Sequence, residues 1–238
     1  MKIAAYYCLH YGKEYLDYSM RSIRPFVDQI FVVHSKAPSF GSKTRRKNPD
    51  TEAELISSVT VDGVVWLETE AGTEEQHRRY IMDHIEGYDY LFHVDYDEVW
   101  DLRALVRIKE ELRKKRYREY RVGFRHLYRS FDWICDDPMM PTRFINLKKK
   151  EGVGYLDEKG YHFGYAINPK LMQYKWDIHG HKQELKKGWF TDVYSKFPEI
   201  KEDVHPTCDN TWNAKPFNKE ELPVLMKGHP YYGKDIID

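Results

Sequence analysis

From residue 3 to residue 94, short apolar runs alternate with stretches whose apolar residues recur every three or four positions, and this alternation leaves few folds open to the chain. Ile3-Ala-Ala-Tyr-Tyr-Cys8 has the length and apolarity of a buried strand. Leu16, Met20, Ile23 and Val27 share one face of a helix, which Pro25 is expected to end early. Residues 30–33 and 61–67 read as the second and third strands. A polar loop with Pro38, Gly41 and Pro49 lies between them, followed by a short helix over 51–57. Thr73 caps the next helix with Gln76 as its capping-box partner. Tyr80, Ile81 and Ile85 supply the apolar face of that helix, and Gly87 ends it. Residues 90–94 form the fourth strand. The repetition predicts an α/β fold with a mostly parallel central sheet flanked by helices. Such sheets take ligands beyond the carboxyl ends of their strands.

The fourth strand runs directly into Asp95-Tyr-Asp97-Glu98, with Asp101 close behind. Asp101 suits the cap of the following helix, which carries Leu102, Leu105, Val106 and Leu112. Capping needs fewer acids than this, so Asp95 and Asp97 are candidate oxygen ligands for a hard divalent cation, Mg²⁺ or Mn²⁺. Such a cation offsets charge on a departing phosphate group, which points to a nucleotide diphosphate. Further along, strands are expected near Val122 and over 143–147, a glycine-containing loop over 152–164, a helix over 170–178, and irregular chain from Pro198 onward.

Lys plus Arg balance Asp plus Glu at 38 each, which gives no general attraction to nucleic acid or anionic membrane. Basic runs at 43–47 and 148–150 are loop charges or a local groove for an anionic acceptor. Cys8, Cys135 and Cys208 make neither a disulfide framework nor a paired metal motif, so a reducing, cytoplasmic setting is expected. No apolar run reaches membrane-spanning length. His179-Gly-His181 lacks the partners of a zinc set. His205-Pro206 and His229-Pro230 read as turns, with loop packing favoured over closure on a nucleotide.

Residues 1–100 resemble the nucleotide-binding half of GT-A-fold, family-two-like glycosyltransferases. The likeness rests on Ile3–Cys8, Lys13-Glu-Tyr-Leu16, the run 22–33, and Gly87–Glu98 with its Asp-x-Asp-Glu strand end. It continues more weakly in Tyr161-His-Phe-Gly-Tyr-Ala166, followed by Pro169 and Lys175. The resemblance implies a GT-A (Rossmann-like) domain of two halves, 1–100 for the donor and 101–197 for the acceptor, with an extension over 198–238 packed on it. It implies metal ligation by Asp95, Asp97 and His162, and nucleotide contacts at Tyr6, His34, Glu70, Arg78, Arg79 and Asp95. Two positions depart from the family pattern. His34-Ser-Lys36 stands where an aspartate is usual, and Arg78 and Arg79 stand near a usual asparagine. An arginine there is suited either to bidentate phosphate pairing or to a surface salt bridge.

The expected activity is metal-dependent transfer of a hexose or pentose from a UDP- or GDP-sugar to a hydroxyl. The acceptor would be a glycan, a lipid-linked precursor or a hydroxymethylated DNA base. Inversion needs a carboxylate to take the acceptor's proton, and Asp137 and Asp157 are the candidates. Two other readings compete. A nucleotidyltransferase also uses paired carboxylates, but Gly12 is the lone glycine near the first strand where a phosphate loop would be wanted. A non-enzymatic carbohydrate-binding module would use the chain's many aromatics instead.

Overall fold

The computed structural model describes residues 1–38, 44–69, 73–180 and 183–238. The elements in chain order are β1 (Ile3–Leu9), α1 (Lys13–Ile23), β2 (Gln29–Ser35), α2 (Glu52–Ser58), β3 (Val65–Thr69), α3 (Glu74–Met82), β4 (Tyr90–His93) and β5 (Glu98–Val99). They continue with α4 (Leu102–Arg113), β6 (Glu119–Tyr128), β7 (Trp133–Asp136), β8 (Thr142–Asn146), β9 (Val153–Tyr165), α5 (Pro169–Asp177), α6 (Trp189–Asp192) and β10 (Lys215–Pro216).

The expected α/β architecture is present. One sheet runs in the order β10-β7-β6-β8-β4-β1-β2-β3, with β9 on β6 and β5 on β9. Strands β3, β2, β1 and β4 are mutually parallel, and antiparallel β8, β7 and β10 extend the sheet on the far side. The continuous apolarity of β1 follows from its central place, where both faces are covered. Ile3, Ala5, Tyr7 and Leu9 join the core packed against α1 and α4, while Ala4 and Tyr6 face the α3 side. Thr73 and Gln76 form the expected capping box, and Thr51 with Glu54 forms another at the head of α2.

The loop expected over 152–164 is instead the thirteen-residue strand β9. Its glycines serve close approach. A side chain at Gly154 would meet the Tyr117 ring, and one at Gly160 would meet Phe124 and Trp100. Because β9 runs parallel to β6 and antiparallel to β5, it carries His162 back to the end of β4.

Residues beyond Pro198 hold little regular structure besides β10 and two short 3-10 turns, but they supply Val204, Trp212, Leu222, Met226 and Ile237 to a second core with β9 and α5. His229 anchors this segment to α1. Its Nδ1 accepts from the Tyr231 N–H at 3.1 Å, so its Nε2–H donates to the Glu14 carbonyl at 3.0 Å. The ring stacks on Tyr15 with centroids 4.5 Å apart. Burial, opposed by the bond to Glu14, lowers its pKa to about 4. A base depressed on folding binds its proton more readily when unfolded. Stability is therefore expected to fall as pH drops from the ordinary value of 6.5 toward 4, by roughly 1.4 kcal/mol per unit for this ring. Urea midpoints at pH 7 and 4.5 check this. The wild type should lose more than His229→Gln, and equal losses would refute it.

Candidate active site

The site is assembled by strand register. Glu98 in β5 pairs with His162 in β9, and the Phe163 N–H donates to the Asp97 carbonyl at 2.8 Å. Asp97, 2% exposed, thus lies beside His162, with Oδ1 3.4 Å from Nε2. Helix α5 follows β9 after a short turn, and Lys175 reaches back so that its Nζ lies 3.3 Å from Asp97 Oδ2 and donates to the Gly164 carbonyl at 3.2 Å. Burial works against the ammonium, but Asp97, with Tyr11 and Tyr165 beside it, outweighs that effect and keeps Lys175 charged. Burial also lowers the His162 pKa, with Asp97 opposing, so the imidazole is neutral near pH 7.

Gly164 makes this convergence possible. A Cβ there would sit 2.5 Å from His162 Cε1, 2.6 Å from Lys175 Nζ and 2.8 Å from Asp97 Oδ2. Gly164→Ala is accordingly expected to displace at least one of the three and to remove most of the activity proposed below. Far-ultraviolet circular dichroism should be unchanged. Wild-type turnover in this variant would show that the three groups need not meet.

A second cation organises the neighbouring acids. Arg143, buried on β8, bonds Asp95 Oδ2 at 2.6 Å through Nη2, which also bonds Glu98 Oε1. Glu98 is fully buried, and desolvation raises its pKa well above the usual carboxylate range despite Arg143. Asp95 is also desolvated, but Arg143 and then His93 outweigh burial and hold it well below that range. His93 Nε2 lies 3.5 Å from Asp95 Oδ1, and burial lowers its pKa to about 3.

Asp95, Asp97, His162 and Lys175 line a cleft of about 240 Å³ with His10 and Tyr11, beyond the carboxyl ends of β1 and β4. Cys8 Sγ meets His77 Nδ1 at 2.6 Å on its wall. His179 also lines the cleft, whereas His181 lies outside the described residues.

The structure thus brings together Asp95, Asp97 and His162. Several other expected contacts go elsewhere. Tyr6, Arg78 and Arg79 line a second cleft with Leu91, His93 and Arg118, on the α3 side of the sheet. His77 lines the Asp97 cleft in their stead, because successive helical residues point about 100° apart. His34 is buried with Nδ1 3.3 Å from Glu52 Oε1. Glu70 lies outside the described residues. Asp157 does not share the site of His162, since five residues of extended strand separate them by roughly 16 Å. It lines another groove, with Arg103 and Arg107. Asp137 does not line the Asp97 cleft; its Oδ2 lies 3.8 Å from His126 Nε2. Lys175, Arg143 and His126 escaped sequence reasoning as site residues. Each acts across a strand register or helix packing that no local pattern records.

Among the described residues, no group of three His, Cys, Asp or Glu side chains converges on a metal-sized point, and no helix is long and apolar enough to cross a membrane. No protein-family model and no curated protein matches the sequence. Solved structures with a similar chain path include S. aureus TarS 1-349 in complex with UDP, at 12% identity and TM-score 0.46, covering 75% of this chain and 64% of that one. S. aureus TarS aligns at 11% identity and TM-score 0.44, covering 75% of this chain and 38% of that one. Glucosyl-3-phosphoglycerate synthase from Mycobacterium tuberculosis, in complex with Mn²⁺, UDP and phosphoglyceric acid, aligns at 16% identity and TM-score 0.34. That match covers 54% of this chain and 43% of the synthase. The chain spans less than two thirds of the length of each.

Proposed function

We propose that the chain is a metal-dependent glycosyltransferase, moving a sugar from a UDP- or GDP-sugar to a hydroxyl acceptor. The observation that carries this reading is the meeting of Asp97, His162 and Lys175 in a cleft at the carboxyl ends of parallel strands. The Asp-x-Asp-Glu strand end and the His-Phe-Gly-Tyr segment, quoted above for their family likeness, supply two of the three groups.

The residues fit a Mn²⁺ or Mg²⁺ ion shared with substrate. Asp97 Oδ1 and His162 Nε2, 3.4 Å apart, are spaced as two neighbouring ligands of one ion. Such ions take one or two protein ligands and fill the remainder with phosphate oxygens and water, so a third protein ligand is not required. Asp95 lines the same cleft as a further acid, though Arg143 holds one of its oxygens. When bound, the ion would neutralise charge on the departing diphosphate. Lys175 adds a fixed positive charge on the same side and orients the Asp97 carboxylate by holding Oδ2. Tyr11 and Tyr96 add aromatic wall to the same cleft. The acceptor classes in view are a glycan, a lipid-linked precursor or a hydroxymethylated DNA base.

The test is product analysis on a panel of UDP- and GDP-sugars with Mn²⁺, before and after chelation. Nucleoside diphosphate should be released, and release should stop with chelator and resume with added Mn²⁺. Pyrophosphate release would favour nucleotidyl transfer instead. Saccharide binding indifferent to chelator, without turnover, would favour a binding module.

A further inference from the structure

The cleft on the α3 side of the sheet, of about 240 Å³, takes no part in the proposed reaction. Its floor is apolar. Leu91 on β4 and Ile145 on β8 lie side by side in register, and Tyr6 on β1 stacks on His93 with centroids 5.0 Å apart. Met82, 47% exposed at the end of α3, forms one wall. Leu91, Ile145 and Met82 carry no group that could hydrogen-bond a base edge or a sugar, and the Thr142 hydroxyl already donates to Glu119 at 2.9 Å.

The rim is cationic. Arg78 and Arg79 from α3 and Arg118 from just before β6 line the cleft with one acid, Glu75, so three guanidiniums stand against one carboxylate. Arg79 holds that carboxylate at 2.6 Å. Arg118 Nη1 donates to the Lys149 carbonyl at 2.8 Å, which ties the exposed lysine run at 148–150 to the same rim. Guanidinium forks pair bidentately with phosphate. An apolar slot beneath such a rim matches a ligand with an apolar body and an anionic end.

We propose that this cleft binds an alkyl phosphate, with its aliphatic chain over Leu91, Ile145 and Met82 and its phosphate on Arg78, Arg79 and Arg118. The floor is recessed, with Leu91 3% exposed, which suits one inserted chain rather than a bilayer surface. A nucleotide placed there would leave the polar edge of its base without partners. The inference goes beyond sugar transfer, since this binding needs neither metal nor nucleotide. The two clefts are neighbours. His93 lines this one and stands 3.5 Å from Asp95 Oδ1, and Asp95 lines the other.

Calorimetry with octyl phosphate below its micelle concentration, with chelator present and nucleotide absent, tests it. The wild type should bind octyl phosphate. Octyl glucoside, which keeps the chain, and inorganic phosphate, which keeps the head, should each bind about tenfold or more weakly. Arg118→Gln should weaken octyl phosphate binding roughly 10- to 100-fold, the range for losing a hydrogen bond to a charged group. Met82→Glu, a change at an exposed side chain, should weaken it comparably by setting a carboxylate against the chain. No binding by the wild type, or unchanged binding in either variant, would overturn the inference. Adenosine monophosphate binding as tightly as octyl phosphate would overturn it in favour of a nucleotide site. Adhesion to phosphatidic acid vesicles without binding of octyl phosphate would overturn it in favour of a membrane surface. With metal and donor left out, this result stands or falls separately from the transferase reading.

Discussion

Asp97→Asn is expected to lower turnover of a nucleotide sugar by roughly 10³-fold, corresponding to about 4 kcal/mol of lost stabilisation of the departing diphosphate. The substitution keeps the shape of the side chain and an oxygen for Lys175 to meet. It removes the charge that the ion would bind and that Lys175 now offsets at 3.3 Å. Mn²⁺ affinity in the presence of uridine diphosphate should fall in parallel, measured by calorimetry on the same preparation. The fold should persist, because the Asp97–Lys175 pair borders an open cleft into which the ammonium can turn. Near-normal diphosphate release by a well-folded variant would remove the proposed mechanism.

The largest stability effect is expected at Arg143. Its guanidinium is buried beside Phe124 and bonds both Asp95 and Glu98. Arg143→Met leaves Glu98 fully buried with no opposing charge, and breaking a buried pair in this way costs about 3–5 kcal/mol. Glu98, already raised by burial in the wild type, should then take up a proton in the folded chain more readily still. A carboxyl group raised on folding contributes stability that is lost as pH rises from its unfolded pKa toward its folded pKa. Urea unfolding of Arg143→Met should therefore show stability increasing as pH is lowered from 7 toward 5. Adding Glu98→Gln should recover much of the loss and flatten the pH dependence. A midpoint close to the wild type in the single variant would mean that the arginine contributes little to holding the acids.

Much of the architecture of residues 1–100 was legible in the sequence. The four parallel strands, the Thr73–Gln76 cap and the acids at the end of β4 each follow from local periodicity or local hydrogen bonding. Strand β9 was not legible, because Gly152, Gly154, Gly160 and Gly164 read as loop until one sees the rings and side chains that need the room. The neighbours of the acids were equally hidden. Nothing near Asp95 in sequence announces Arg143, 48 residues away, or shows that Asp157 lines a separate groove with Arg103 and Arg107 while His162 lines the Asp97 cleft.

The amino-acid order alone determined the alternating strands and helices and the placing of carboxylates at a strand's end, since apolar period and capping act over a few residues. Tertiary structure decided which acid meets which cation. Lys175 lies 78 positions from Asp97, and His126 lies 36 from His162. Their meetings depend on the register of β9 against β5 and β6, where a slip of one residue would turn His162 to the opposite face.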